Sequence, residues 1–382
     1  MWSTVMINLM DVRNGVFRLC RPIDLFLFVV TLAIIGVATL MLGSSSPERM
    51  DSHLVNVTVA IIVMWIMAAQ PPQRLHSLAL PLYVLGVLLL IGVALFGDVS
   101  KGARRWLNLG VMRIQPSELM KIAMPLMLAW YFQKREGMLK MRDFVVAILL
   151  LVIPLGLIIR QPDLGTSLLV LGAGLFVIFF AGLSWKLIFP VVLVGIACVV
   201  GIITFGDRIC APEVAWPGLH DYQKHRVCTL LDPSSDPLGK GFHTIQSTIA
   251  VGSGGIFGKG WHQGTQTHLD FLPERHTDFV LAVISEEFGL AGVIIITILY
   301  CLLIGRGLMI AINAATLFGR LLAGAVSMIF FTYAFVNMGM VAGMLPVVGV
   351  PLPMVSYGGT ALVTLCLGIG ILMSVQQHRR RK

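Results

Sequence analysis

The stretch Asp24–Leu42 reads DLFLFVVTLAIIGVATLML and contains no charged residue after Asp24. A helix of about 20 apolar residues is long enough to cross the hydrocarbon core of a bilayer. The stretch is too long for the core of a signal peptide, and no small-x-small cleavage pattern follows it. It therefore predicts a first membrane-spanning helix that is not removed by processing.

Apolar runs of this kind recur to the end of the 382-residue chain, of which 57% is hydrophobic and 12% is charged. Soluble domains carry about twice this charged fraction. Each run is expected to be helical because lipid cannot satisfy backbone polar groups, and the short alternating segments of a strand barrel are not seen. The sequence predicts an all-α, polytopic membrane helix bundle, a single domain over residues 1–382. Its ten or so helices are predicted at 24–43, 53–69, 76–96, 116–132, 143–160, 164–183, 187–206, 278–304, 320–342 and 358–376.

Basic residues in short loops set the orientation of membrane helices, because such loops stay in the cytoplasm. The chain holds 28 Lys and Arg against 19 Asp and Glu, and we interpret this net charge of +9 as cytoplasmic anchoring charge. Because no basic soluble region accompanies it, we expect no nucleic-acid partner. The distribution predicts cytoplasmic N- and C-termini and places residues 207–277 in one large outer loop.

The short outer loop 97–115 departs from this rule, since it contains Lys101, Arg104, Arg105 and Arg113. Contact with anionic lipid headgroups would explain these charges. A site for an anionic substrate on the outer face would also explain them. The sequence leaves both interpretations open, with Arg104 and Arg105 as candidate ligands for a phosphate group.

Two of the six cysteines, Cys210 and Cys228, fall in the large outer loop. An oxidising compartment favours their pairing. Closing a loop of this size stabilises a fold by roughly 3 kcal/mol where the geometry permits. Our hypothesis is that they form a disulfide, and two free thiols are the alternative.

The segment 268–279, HLDFLPERHTDF, ends the outer loop and opens the eighth predicted helix. Thr277 and Asp278 suit a helix N-terminus, and capping is the simplest explanation for them. Capping alone does not explain the five ionisable residues gathered at this membrane surface, which are Asp270, Glu274, Arg275, His276 and Asp278. The helix dipole favours the charged form of Asp278, whereas burial against the bilayer opposes it. A carboxylate balanced in this way could accept a proton from an attacking sugar hydroxyl.

Ionisable residues also occur within and between the predicted spans. In QPSELMK at 115–121, Glu118 and Lys121 lie three residues apart and therefore on one face of the fourth helix. Such residues inside a membrane helix mark a candidate functional site, and a structural ion pair is the alternative. In QPDLGTS at 161–167, Asp163 could equally cap the sixth helix or reach into a cavity.

Two glycine-rich segments are less specific. GSGGIFGKG at 252–260 lacks the pattern of a nucleotide-binding loop, because no Ser or Thr follows Lys259. Its backbone N–H groups and Lys259 could hold a pyrophosphate, and a plain flexible turn is as consistent with the sequence. PMVSYGGT at 353–360 predicts a rigid turn before the last helix. No zinc or haem spacing occurs, and His268 and His276 leave a divalent cation such as Mg²⁺ or Mn²⁺ open.

Six segments taken together resemble the SEDS family, named for shape, elongation, division and sporulation. They occur in order over nearly the whole chain, with the helix layout of that family. They are QPSELMK, QPDLGTS, DPLGKGFHTIQS, GSGGIFGKG, PERHTDF and PMVSYGGT. Arg275 in PERHTDF and the short N-terminus resemble the elongation branch, since the division branch usually has Ala at that position.

The resemblance implies a peptidoglycan glycosyltransferase of the bacterial inner membrane that polymerises lipid II. It implies that Asp278 is the catalytic carboxylate, which deprotonates the acceptor 4-hydroxyl. It also implies that Glu118, Lys121 and Asp163 line a central cavity. The implied partners are a class B penicillin-binding protein with transpeptidase activity and other membrane proteins of the elongation complex.

Further substrate-binding candidates rest on charge and position. Asp270 stands where the family often has Glu, which keeps the charge and shortens the reach. The candidates are Arg104, Arg105 and Lys259 for the pyrophosphate, with Asp270, Arg275, His276 and Thr277 around the PERHTDF motif.

Three functions compete for these residues. A polymerase requires an indispensable outer carboxylate, a lipid II flippase requires access from both faces, and a scaffold for cell-wall enzymes requires neither. The polar residues cluster on the predicted outer face, which favours the polymerase. The flippase and a division-branch paralogue remain the alternatives.

Overall fold

The computed structural model describes residues 23–379, apart from 101–102, 109–112, 138, 212–213, 215, 217–220, 237–238, 270 and 273. All ten predicted spans are helices within this part of the chain. They are α1 (Leu25–Ser45), α2 (Met50–Ala68), α3 (Pro72–Phe96), α4 (Pro116–Lys134), α5 (Met141–Arg160), α6 (Leu164–Phe180), α7 (Trp185–Thr204), α12 (Val280–Ile312), α13 (Leu317–Val341) and α14 (Gly359–Gln377).

Eight of these helices are long and apolar enough to cross a membrane by length and composition. The other two are α6, which has 17 residues, and α4, which carries Glu118, Lys121 and Lys134. Helix starts follow their local chemistry: the Asp24 side chain accepts a hydrogen bond from Leu27 N at the start of α1. The chain is therefore a multi-pass membrane protein.

The helices α4 and α13 form the middle of the bundle. Helix α4 packs against α3, α6 and α13, whereas α13 also packs against α12. Helix α14 lies along α2. Helix α7 differs from all of these, because none of its residues is buried. An apolar helix with this exposure is suited to lipid on every side.

The loop between α3 and α4 contains an element that the sequence pattern did not predict. Three short antiparallel strands, β1 (Asp98–Ser100), β2 (Ala103–Asn108) and β3 (Arg113–Ile114), pair in the order β1-β2-β3. Strands this short give too few alternating positions for periodicity to show. The sheet shapes the basic loop 97–115, and Arg104 pairs with Val99 along its backbone.

The large loop 207–277 also has regular structure. Four short helices occupy or border it: α8 (Gly206–Ile209), α9 (Asp221–Leu231), α10 (Lys240–Ser253) and α11 (Thr265–His268). Helix α10 packs against α12. Cys210 and Cys228 are joined in a disulfide with Cα atoms 5.6 Å apart, which ties the end of α8 to α9.

Candidate active site

Asp278 lies in the turn immediately before α12. The helix begins at Val280, and its N-cap residue, Phe279, makes no side-chain capping bond. Thr277 Oγ1 donates to the backbone oxygen of Glu274 at 3.2 Å and to its carboxylate at 2.9 Å, so it closes the turn and does not cap the helix. Simple capping of α12 therefore does not account for Thr277.

The backbone of Asp278 is held by α13. The side-chain amide of Asn337 donates 2.8 Å hydrogen bonds to the carbonyl oxygens of Asp278 and of Val350. Gly349 lies beside the carboxylate, since a Cβ placed there would be 3.5 Å from Asp278 Oδ2. Asp278 is half-buried, and the missing side chain at Gly349 keeps space next to its oxygen. We call the end of the helix bundle at which Asp278 lies the Asp278 end.

Arg275 fastens this turn to two other segments. Its Nε donates to Ser45 O at 2.9 Å, and one of its Nη atoms donates to Thr267 O at 2.8 Å. Arg275 therefore links the PERHTDF motif to the end of α1 and to α11. This backbone anchoring is a role that the sequence analysis did not foresee for a residue predicted to bind substrate.

His276 faces the PMVSYGGT turn. Tyr357 N donates to His276 O at 2.8 Å, and the two rings lie edge to face with centroids 6.0 Å apart. Burial, and then the positive charge of Arg49, hold the pKa of His276 below its usual value of 6.5. His276 is therefore a neutral side chain near pH 7.

A second polar cluster connects α4 with α13. Lys121 Nζ is 2.6 Å from Glu118 Oε1 and donates to Tyr333 OH at 2.6 Å. Tyr333 and Asn337 are four residues apart in α13 and so share one face of that helix. The Lys121 cluster and the Asp278 turn are thus attached to successive turns of the same helix.

Asp163 performs the first of the two roles that the sequence left open, and its predicted place in a central cavity stays a prediction. Its Oδ1 accepts from Thr166 N at 3.1 Å, which caps α6, and its Oδ2 accepts from the Gln115 side chain at 3.1 Å. Arg105 reaches the same turn, where it donates to Pro162 O at 2.7 Å. The structure thus brings Arg105 and Asp163 together at the entrance of α4.

Lys259 has a protein partner. Its Nζ lies 2.7 Å from Glu286 Oε1 and 2.8 Å from Thr265 Oγ1. Glu286 is fully buried, and it also accepts from Gln266 N at 3.0 Å. The Lys259 charge is therefore balanced within the protein, and its predicted contact with a pyrophosphate stays a prediction.

The GSGGIFGKG segment fills a break in α12. Gly289 has φ 65°, ψ −158°, which interrupts the helix. The main chain on either side of the break bonds to 255–260: Leu290 N and Ala291 N donate to Gly255 O and Ile256 O at 2.9 and 3.0 Å. In return, Lys259 N and Gly260 N donate at 3.0 Å to the carbonyl oxygens of Glu286 and Glu287. This segment is a structural clamp, which we call the 255–260 clamp.

Neighbouring Glu287 ties the same region to α1. It is buried and accepts a short hydrogen bond from Ser44 Oγ. His262 Nδ1 lies 3.5 Å from the same hydroxyl. The adjacent carboxylates Glu286 and Glu287 were missed by the sequence analysis, although two acidic residues inside an apolar span are a signal for a polar site. Asn337 in α13 gives the same kind of signal.

Three sequence predictions are not tested by the positions of the described side chains. Asp270 is not among the described residues, and for Arg104 the structure describes the backbone alone. Among the described side chains, no group of three or more His, Cys, Asp or Glu is arranged to hold a metal ion. A role for a divalent cation therefore stays a prediction.

Comparison with known proteins agrees with this arrangement. The sequence profile described as "Cell cycle protein", for FtsW, RodA and SpoVE, matches residues 16–381. The peptidoglycan glycosyltransferase MrdB of Escherichia coli is 48% identical over 361 residues, which cover 94% of each chain. A probable peptidoglycan glycosyltransferase FtsW of Geobacter metallireducens is 36% identical over 80% of this chain and 78% of its own.

Solved structures agree as well. A chain of a peptidoglycan synthase complex that coordinates polymerization and crosslinking superposes with a TM-score of 0.76 at 34% identity, covering 94% of this chain and 99% of its own. The rod shape determining protein RodA of Thermus thermophilus gives a TM-score of 0.68 at 28% identity, covering 94% and 98%. From the motifs, the fold and these matches, the chain belongs to the SEDS family of FtsW, RodA and SpoVE.

Proposed function

We propose that this protein is a peptidoglycan glycosyltransferase of the elongation type, which polymerises lipid II with Asp278 as general base. The observation that carries the proposal is the Asp278 carboxylate, half-buried beside Gly349 and fixed through its backbone by Asn337. The higher identity to MrdB, at 48% against 36% for the FtsW relative, favours the elongation type.

The chemistry needs one proton acceptor next to the sugar. Asp278 takes the proton of the acceptor GlcNAc 4-hydroxyl, and that oxygen attacks C1 of the donor MurNAc. The bond from C1 to the phosphate oxygen breaks, and undecaprenyl pyrophosphate leaves with the bonding electrons. Because the attacking oxygen approaches from the opposite face, the configuration at C1 is inverted. General base catalysis of this kind contributes about 10²- to 10⁴-fold, so the carboxylate must be held within hydrogen-bond reach of the hydroxyl.

The wider setting of the proposal is the bacterial inner membrane. The positive-inside distribution supports cytoplasmic termini, so the Asp278 end would face the periplasm, where lipid II is consumed. The solved relative in a complex that couples polymerization with crosslinking supports a transpeptidase partner of the class B penicillin-binding type.

The test is a polymerisation assay with labelled lipid II and the transpeptidase partner. We expect Asp278→Asn to abolish glycan strands while thermal stability and partner binding persist. Asp232→Asn is the matched control, since Asp232 is an exposed aspartate in the large loop. If Asp278→Asn polymerises like the wild type, the mechanism is wrong; if the wild type makes no strands, the function is wrong.

A further inference from the structure

Arg49 is placed close to the Asp278 turn by the fold. It ends the short 3₁₀ turn Pro47–Arg49 between α1 and α2. Its guanidinium carbon lies 5.4 Å from the centre of the Tyr357 ring, and the Tyr357 backbone binds His276 O. His276 is two residues before Asp278, so residues from three distant parts of the sequence meet at the turn that carries Asp278.

The position of Arg49 is fixed by contacts on the preceding residues. Arg275 binds the carbonyl of Ser45 at 2.9 Å, and Ser44 is hydrogen-bonded to Glu287 of α12. The end of α1 is therefore fastened to the same helix that Asp278 precedes. Anchoring the backbone in this way reduces the conformational entropy that Arg49 loses when it binds a ligand.

The Arg49 guanidinium makes few contacts with the described residues. Among the described residues, the carboxylate it meets is Glu48, with Nε 3.8 Å from Oε1 and side-chain exposures of 43% and 67%. Exposed pairs of this kind contribute about 0 to 1 kcal/mol. An arginine stacked on an aromatic ring keeps its N–H groups available at the edge, in the fork geometry that phosphate oxygens accept.

Two other cations at the Asp278 end bind groups of the protein itself. Arg275 donates to two backbone carbonyls, and Lys259 is paired with Glu286. Arg49 is also the first of the charges that act on His276, so its field reaches the segment that carries Asp278. Compared with Arg275 and Lys259, Arg49 has the cationic group that is exposed and available to a ligand.

We propose that Arg49, held against Tyr357 beside His276, binds the diphosphate of the lipid-linked sugar whose transfer Asp278 catalyses. The inference rests on the proposed function, because that function supplies the diphosphate substrate. Arg49 would hold the donor by its leaving group and favour the negative charge that develops there as the C1–oxygen bond breaks.

The test separates binding from catalysis. In the Asp278→Asn background, undecaprenyl pyrophosphate should raise the melting temperature more than undecaprenyl phosphate does. Adding Arg49→Gln should remove this preference, with affinity for the diphosphate falling about tenfold or more, as expected for a charge-assisted contact. Arg160→Gln is the matched control, because Arg160 is an exposed arginine at the end of α5, and it should keep the preference.

Activity assays add a second readout. With Asp278 intact, Arg49→Gln should lower kcat/KM for lipid II about tenfold or more, with Arg49→Lys between it and the wild type. Unchanged diphosphate preference in Arg49→Gln would overturn the inference. So would a loss confined to nanodiscs with anionic phosphatidylglycerol and absent in phosphatidylcholine, which would assign Arg49 to lipid headgroups. The binding arm needs no catalysis, so a failure of the proposed function would be recognised separately in the wild-type assay.

Discussion

Asn337 and Asp278 are joined by a 2.8 Å hydrogen bond from the side-chain amide of the first to the backbone carbonyl of the second. Asn337 is fully buried in α13, and the same amide also binds Val350 O. The turn with the carboxylate and the segment with Gly349 are thus held by one side chain. This contact fixes the position of the Asp278 backbone along the axis of α13.

Replacing Asn337 with Ala is expected to release the Asp278 turn. Loss of the two hydrogen bonds should lower the free energy of unfolding by about 1 to 3 kcal/mol. The displaced carboxylate should lower kcat roughly tenfold to a hundredfold with little change in KM. Asn313→Ala, at an exposed asparagine after α12, is the control for both measurements. A fall in stability with unchanged kcat would show that Asn337 does not position Asp278.

Replacing Gly258 with Ala should disrupt the 255–260 clamp. Gly258 has φ +79°, and a Cβ there would overlap the carbonyl of Glu287, so we expect a loss of about 2 kcal/mol or more in unfolding free energy. Gly252→Ala should be neutral or stabilising, because it lies in α10 with no atom within 4 Å of the added Cβ. Equal melting temperatures for the two variants would contradict this account.

Lys259→Gln tests whether the lysine anchors the loop or binds substrate. The change leaves the buried Glu286 carboxylate without its cation, so we expect stability to fall by about 3 kcal/mol. The KM for lipid II should change little in the variant that remains folded. Lys224→Gln, at a lysine bound to carbonyls elsewhere in the large loop, is a comparison for the loss of a loop cation. A large rise in KM with unchanged stability would show instead that Lys259 binds the pyrophosphate.

The Cys210–Cys228 bond predicts a mass two hydrogens below that of the reduced chain when the protein is isolated without reductant. Cys228→Ser should lower the stability of the outer loop by roughly 3 kcal/mol. Cys198→Ser should have no such effect, because Cys198 is a free, exposed cysteine of α7. Labelling of both Cys210 and Cys228 by a thiol reagent in the native, unreduced protein would exclude the bond.

The lowered pKa of His276 predicts a dependence of stability on pH. The unfolded chain binds a proton near pH 6.5, whereas burial and then the charges of Arg49 and Arg275 keep the folded side chain neutral, against Glu274 and Glu48. The stabilisation is therefore complete above pH 6.5 and is lost as the pH falls below it. Melting temperatures of the wild type and of His276→Gln should converge or cross on acidification, and a constant difference would refute the assignment.

Apolar length was sufficient to predict the eight helices that are long and apolar enough to cross a membrane, because lipid permits no other local structure. The charged pair of α4 was also visible, since Glu118 and Lys121 interrupt an apolar run. Their partner Tyr333 could not be predicted, because the packing of α4 on α13 decides which side chain meets them.

The glycine-rich segment shows why other features escaped prediction. A flexible turn, a phosphate-binding loop and a clamp can all have the same glycine content. Which of these structures residues 255–260 form depends on the helix break at Gly289, which is more than 25 residues away. The Asp278 turn could be located from its motif. Its support by Asn337 and the approach of Arg49 depend on tertiary contacts that no local pattern encodes.

The pairing between the 255–260 clamp and α12 has a register, as two strands of a sheet do. Gly255 and Ile256 accept from the N–H groups of Leu290 and Ala291, whereas Lys259 and Gly260 donate to the carbonyl oxygens of Glu286 and Glu287. One residue inserted between Ile256 and Lys259 would therefore move one of these two pairs of groups away from its partners. Each unmatched group in apolar surroundings costs several kcal/mol. Insertions and deletions should therefore be excluded from these six positions, whatever variation in length the rest of the loop accepts.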